Sequence, residues 1–151
     1  MPIVIVDDCA VTAAIIKGIA RDRGTNEVLK FTDPESALDY LRVDPADLVI
    51  VDYAMPGMNG VQLTGALRCM PRHEGTPVVM LTGSEDPQVE RLAAAAGVTE
   101  FLRKPVKIGE LKAIVGKLLP NGGWPFIDRR SRDATAPPEA GERRQAAVRT
   151  P

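Results

Sequence analysis

Five short aliphatic runs, IVIV (3–6), EVLKF (27–31), LVIV (48–51), VVML (78–81) and EFL (100–102), recur along the chain with longer amphipathic stretches between them. Runs of three to five residues with β-branched content read as strands. The stretches between them have helical periodicity. Val11, Ile15 and Ile19 fall on one helical face, and so do Pro34, Ala37, Leu38 and Leu41, which Asp33–Pro34 opens as N-cap and first helical residue. A third helix is predicted from near Asn59, carrying Val61, Leu63, Ala66 and Leu67. A fourth carries Val89, Leu92, Ala93 and Ala96 and stops at Gly97, a left-handed cap. The last shows Ile108, Leu111, Val115 and Leu118 and ends before Pro120. Five strands alternating with five helices require an α/β, doubly wound parallel sheet covered on both faces. Strands buried in this way read as continuous aliphatic runs, as four of these do.

In an open parallel sheet, ligands bind beyond the carboxyl ends of the strands. Those ends are polar here. The first run stops at Asp7 and Asp8, the third at Asp52 and the fourth at Thr82, and Lys104 follows the fifth. Parallel strands bring these side chains to one edge. Each pair of carboxylates about 4 Å apart costs roughly 4 kcal/mol at an effective dielectric near 20, and one lysine does not neutralise three of them. Either some stay protonated or a divalent cation sits among them; oxygen ligands suit Mg²⁺, which keeps several waters and binds beside phosphate. Such a site can receive a phosphoryl group, with Asp52 attacking and the product an aspartyl phosphate.

Each residue also has an ordinary reading. Asp7 and Asp8 could cap the first helix, Asp52 and Thr82 could serve turns, and Lys104–Pro105 could be a solvated lysine before a helix. Their joint occurrence at successive strand ends favours the site. His73 reads as a lone histidine in a polar loop, with no second histidine for a metal. Cys9 and Cys69 form no spacing pattern and suggest reduced thiols in the cytoplasm. Cys9, after two acids, is expected to have a raised pKa and to act as apolar filler.

A length of 151 residues, 44% of them apolar, suits one domain with a real core, and a net charge of −1 gives no push towards nucleic acid or anionic membrane. No apolar run reaches the ~20 residues of a membrane span, and the two acids after IVIV argue against an export signal. Residues 1–119 hold nearly all the aliphatic content. From Pro120 the composition turns to Gly, Pro, Ala and Arg, predicting a flexible polar tail over 120–151, with Trp124 and Phe126 able to pack back.

Taken in order, IVIVDD, VDYAMPGMNG, LTGS and FLRKP give residues 1–119 a specific pattern that resembles the receiver domain of two-component response regulators. The resemblance implies a flavodoxin-like sheet of order 2-1-3-4-5 in a single domain. It implies that Asp52 is the phosphoacceptor, taking its phosphoryl group from a sensor histidine kinase or a histidine phosphotransfer protein. Asp7, Asp8, Asp52 and the backbone carbonyl of Ala54 would hold Mg²⁺, Thr82 would be the switch hydroxyl, Lys104 the phosphoryl-pairing cation and Phe101 the switch aromatic. The bond before Pro105 would be cis. Phe101, with no hydroxyl, would report the switch by packing alone, and Ala54 cannot position a hydrolytic water.

The implied function is a signalling switch without enzymatic turnover, a phosphoprotein of a phosphorelay. Its output would be a population shift carried by the helix 4–strand 5–helix 5 face, roughly 85–118, to a downstream protein or a homodimer. Two further readings are a receiver-like scaffold that binds a partner without phosphorylation, and a receiver fragment of a longer regulator. A flavodoxin-type redox protein fits poorly because Asp7 and Asp8 would repel a flavin phosphate. A phosphohydrolase wants a second Asp two residues after the nucleophile, where Ala54 stands.

Overall fold

A computed structural model describes residues 2–7, 9–23 and 27–119. Asp8 and the tail with Trp124 and Phe126 lie outside the described residues. The elements are β1 (Ile3–Val6), α1 (Ala10–Arg23), β2 (Val28–Phe31), α2 (Pro34–Val43), β3 (Leu48–Asp52), α3 (Gly60–Arg68), a 3-10 turn (Pro71–His73), β4 (Val78–Thr82), α4 (Pro87–Ala96), β5 (Glu100–Arg103) and α5 (Ile108–Leu118). The strands form one parallel sheet of order β2-β1-β3-β4-β5. That is the flavodoxin-like order expected. The chain divides into two compact units, Met1–Ile114 and Val115–Pro151, with the break inside α5. In the described part of the second unit, Val115 and Leu119 are buried.

Strand alternation sorts the core. Val4, Val6, Val49, Val51, Val78 and Met80 point to one face and pack with Ala37, Leu38 and Leu41 of α2, Leu63 and Leu67 of α3, and Val89 and Ala93 of α4. Each fully buried aliphatic side chain contributes about 1.5–3 kcal/mol. Ile3, Ile5, Leu48, Ile50, Val79 and Leu81, also buried, point to the opposite face. Only β1, β3 and β4 are buried along their whole length. The expected four continuous runs reduce to three, because β2 and β5 are edges, half-exposed, with Lys30, Glu100 and Arg103 in them.

The helix caps follow the sequence. The Asp33 carboxylate accepts from the amides of Glu35 and Ser36 ahead of α2, with Pro34 next to it. Asn59 and Gln62 form a reciprocal capping box on α3. Asp86 accepts from the Gln88 amide at the start of α4, which ends at Gly97 with φ 104°.

The helix faces differ in three places. In α1 the buried residues are Thr12, Ala13, Ile16, Ile19 and Ala20, while Val11 is 65% exposed and Ile15 half-buried. Two adjacent isoleucines let periodicity choose the wrong one. Leu92 is exposed because Val89 and Ala93, four apart, already form the inner stripe of a helix rich in alanine. Ile108, the first residue of α5, is also exposed.

His73 is fully buried rather than lying in a polar loop. Its Nε2 stands 2.7 Å from the Leu41 carbonyl and its Nδ1 2.9 Å from the Thr76 hydroxyl. A carbonyl only accepts, so Nε2 carries a proton. Beside it, Arg68 donates through Nη1 to the carbonyls of His73 (2.7 Å) and Thr76 (2.6 Å), and through Nε and Nη2 to that of Gly97 (3.2 and 2.8 Å). One side chain thus joins α3, the loop before β4 and the end of α4.

Gly60 serves more than a turn. A Cβ there would stand 2.8 Å from the Asp52 carbonyl oxygen and 3.1 Å from both the Tyr53 Cα and the Met80 Sδ. Its amide donates to the Tyr53 carbonyl at 2.9 Å. The start of α3 therefore lies directly against the end of β3. Gly60→Ala is expected to destabilise the protein by about 1–3 kcal/mol, because backbone has to move to admit the methyl group. Urea denaturation measures it, and a change under 0.5 kcal/mol (roughly the scatter for surface sites) would contradict the close approach.

Candidate functional site

The site forms where parallel strands end side by side. Register pairs Val6 with Val51, Asp52 with Leu81, and Thr82 with Arg103, so Asp7, Asp52 and Thr82 emerge at neighbouring positions of one edge. Short backbone bonds hold these ends: the amides of Asp7, Tyr53 and Lys104 donate to the carbonyls of Phe31 (3.0 Å), Leu81 (2.8 Å) and Thr82 (2.7 Å). The Lys104–Pro105 peptide is cis.

Asp7, Asp52 and Thr82 are all buried, while the Lys104 side chain stays about a third exposed. The Lys104 Nζ donates to Asp52 Oδ2 at 3.1 Å, closing a gap of 52 residues in sequence. The Thr82 hydroxyl oxygen accepts from the Ser84 amide at 3.0 Å. Asp7 Oδ1 accepts from the Cys9 amide at 3.0 Å, whereas Asp7 Oδ2 is buried with no hydrogen-bond partner. Ala54 is exposed beside this edge, and Phe101 is half-buried at the margin of the core.

The electrostatics show a shortage of positive charge. Burial pushes the Asp52 carboxyl above the usual carboxylate range, and the charge of Asp7 adds to it. The Lys104 hydrogen bond and charge and the Ala54 amide pull the other way without cancelling the rise. Desolvation lowers the Lys104 pKa, but its bond to Asp52 and the charges of Asp7 and Asp52 outweigh this and hold it above the usual value. An ion pair alone would depress its acid; here burial and a second carboxylate prevail.

A divalent cation fits this donor set. The orphaned Asp7 Oδ2 lacks a partner that a hard cation would supply, and Asp52 is short of counter-charge. Among the described residues no three His, Cys, Asp or Glu side chains form a group able to hold a metal, and Asp8, expected in the acidic set, lies outside them.

Cys9 departs from its expectation. The amides of Thr12 and then Val11, at the start of α1, pull its thiol below the ordinary value, and this exceeds the effects of burial and of Asp7. It is half-exposed and does not fill the core.

The raised Asp52 pKa has a consequence for stability in metal-free buffer. A carboxyl whose pKa rises on folding contributes stability below its unfolded value, near 3.9, and loses it as pH climbs through the folded value. Ionised Asp52 therefore works against folding at neutral pH, and Asp52→Asn is expected to raise the urea midpoint at pH 7 in EDTA while converging with wild type at low pH. Equal midpoints across the range would contradict the electrostatic picture.

Sequence reading overlooked Arg103, whose guanidinium carbon lies 5.9 Å from the centroid of the Phe101 ring and whose Nη1 donates to the Ser84 carbonyl. A cleft of about 270 Å³ between α4 and β5 is lined by Glu90, Ala93, Val98 and Phe101 among others. No helix among the described residues is long and apolar enough to cross a membrane.

Comparison with known proteins places these features in a family. The model of the response regulator receiver domain matches residues 3–116. Chemotaxis protein CheY-3 of Vibrio cholerae is 34% identical over 118 residues, covering 78% of this chain and 91% of CheY-3. The cyclic di-GMP phosphodiesterase response regulator RpfG of Xanthomonas campestris is 36% identical over 118 residues, which are 78% of this chain but 31% of that protein. Chemotaxis protein CheY4 of Vibrio cholerae superposes with a TM-score of 0.70 at 27% identity, over 78% of this chain and 98% of that one. The receiver domain of a sensor histidine kinase from Pseudomonas aeruginosa, solved with a magnesium ion in its active site cleft, shares the fold with a TM-score of 0.68 at 24% identity, covering 78% of this chain and 95% of its own. By sequence pattern, strand order and family match, this chain belongs to the response regulator receiver domain family.

Proposed function

We propose that the chain is a phosphorylation-dependent switch whose phosphoacceptor is Asp52. The observation that carries this reading is the 3.1 Å contact of Lys104 Nζ with Asp52 Oδ2 beside a buried, unpartnered Asp7 oxygen. The donor is a phosphohistidine on a sensor histidine kinase or a histidine phosphotransfer protein. An Asp52 oxygen attacks phosphorus, the P–N bond breaks, and the electron pair stays on the departing imidazole nitrogen. Lys104 balances charge on the phosphoryl oxygens, and the Thr82 hydroxyl donates to one of them. Asp7, Asp8, Asp52 and the Ala54 carbonyl would hold Mg²⁺, which would supply neutralising charge for the phosphoryl oxygens.

Phe101 then repacks as Thr82 moves, and the face formed by α4, β5 and α5 presents the change to a downstream protein or a second copy. Residues 1–119 form the receiver, with 120–151 as a tail, and the setting is cytoplasmic. The phosphodiesterase activity in the name of RpfG belongs to a protein of which this chain spans less than a third.

The test is incubation with Mg²⁺ and acetyl phosphate. A mass gain of one phosphoryl group, stable in acid and lost in base, supports the switch. No gain favours a scaffold that binds its partner unmodified.

A further inference from the structure

Arg103 closes β5 and touches three other parts of the domain. Its backbone pairs with Thr82 in the β4–β5 register. Strand alternation places its side chain on the same face as Phe101, and the guanidinium lies over that ring, 5.9 Å from the centroid. Nη1 donates to the Ser84 carbonyl, and Nη2 stands 4.0 Å from the Glu90 carboxylate on α4. Ser84 is tied in turn to both neighbours. Its amide donates to the Thr82 hydroxyl oxygen at 3.0 Å, and its own hydroxyl accepts from the Asp86 amide at 3.1 Å. Asp86 caps α4 through the Gln88 amide. Polar contacts therefore run without a break from Thr82 through Ser84 to the first turn of α4, with Arg103 bracing the middle.

The two ends of α4 are fastened differently. At Gly97 the half-buried Arg68 bonds the terminal carbonyl through two nitrogens. At the other end the Arg103 contacts are exposed, with its side chain 46% and that of Glu90 59% open to solvent. Exposed charged contacts are weak and easily traded for water.

We infer that Arg103 is a positioning residue that sets the balance of the switch by holding Ser84 and Phe101 in the observed arrangement. This rests on the reading of Asp52 as phosphoacceptor and of Thr82 as the hydroxyl that meets the phosphoryl group. A Thr82 that moves draws Ser84 with it, and Phe101 cannot repack without sliding beneath the guanidinium. Phosphoryl capture therefore works against the Arg103 contacts and frees the N-terminal end of α4. Arg68 keeps the C-terminal end in place, so α4 pivots near Gly97.

The experiment compares wild type, Arg103→Ala and Arg103→Lys in two measurements. The first is amide hydrogen exchange without ligand. Arg103→Ala is expected to exchange faster across residues 83–90 and unchanged across 93–97, with Arg103→Lys in between. The second is an equilibrium titration with beryllium trifluoride and Mg²⁺, a phosphoryl analogue. Removing the hold leaves less to disrupt, so Arg103→Ala binds about fivefold more tightly, whereas a merely structural residue would not improve binding.

Unchanged exchange at 83–90, or binding that is equal or weaker, overturns the inference. If the wild type neither binds the analogue nor takes up phosphoryl, the phosphoacceptor reading fails separately. The exchange result then still judges the hold: faster exchange supports it and unchanged exchange overturns it.

Discussion

Asp52→Asn takes up no phosphoryl group from acetyl phosphate and Mg²⁺, where the wild-type chain gains one, and intact-mass spectrometry reads the difference. The carboxamide has nearly the shape of the carboxylate but presents no anionic oxygen to phosphorus. Asp7, the other described carboxylate at this edge, does not take over, because it is fully buried. Lys104→Ala behaves differently. Asp52 keeps its nucleophilic oxygen but loses the ammonium 3.1 Å away, so labelling persists at a rate lower by on the order of 100-fold. Equal labelling of Asp52→Asn and wild type would remove Asp52 from the role. Loss of labelling confined to Lys104→Ala would move the nucleophile elsewhere.

Arg68→Ala has the largest expected effect on the scaffold, a loss of about 3 kcal/mol in stability. Its guanidinium serves the carbonyls of His73, Thr76 and Gly97, and the same side chain lies against Gly97, where a Cβ would meet Arg68 Nε at 2.9 Å. Burial pushes the Arg68 pKa down from its ordinary value, because desolvation disfavours the charged guanidinium. Truncation leaves three acceptors poorly satisfied and opens the joint between α3 and α4. Arg68→Lys restores the charge but not the fork, so it recovers less than half of the loss. Urea denaturation measures both variants. A loss below 0.5 kcal/mol for Arg68→Ala, within the range of ordinary surface substitutions, would mean that water replaces the guanidinium without cost.

The parts of the site that were legible in sequence sit at strand ends. Asp52 and Thr82 terminate β3 and β4, and Lys104 directly follows β5, so a parallel sheet suffices to bring them to one rim. The Asp33 cap and the start of α3 near Asn59 were legible for a similar reason, since each side chain acts within three residues of itself; the Asp86 cap of α4 went unread. Arg68 and Arg103 were not legible either. Arg68 reaches a carbonyl 29 residues away and Arg103 one 19 residues away, and an arginine in sequence carries no sign of which carbonyl it will meet. His73 looked exposed because Arg72, Glu74 and Gly75 surround it, yet it turns inward to Leu41 and Thr76.

Local chemistry in the chain determined the alternation of strands and helices, the starts of α2, α3 and α4, and the rim on which carboxylates, hydroxyl and lysine stand. These depend on periodicity and on contacts a few residues long. The tertiary structure alone decided that Ile16 rather than Ile15 turns inward, that Gly60 must lack a side chain against Asp52, and that Asp7 keeps one oxygen without a partner. Those outcomes depend on which surfaces meet, and packing fills the interior too closely for a one-residue rotation or an added methyl group to go unfelt.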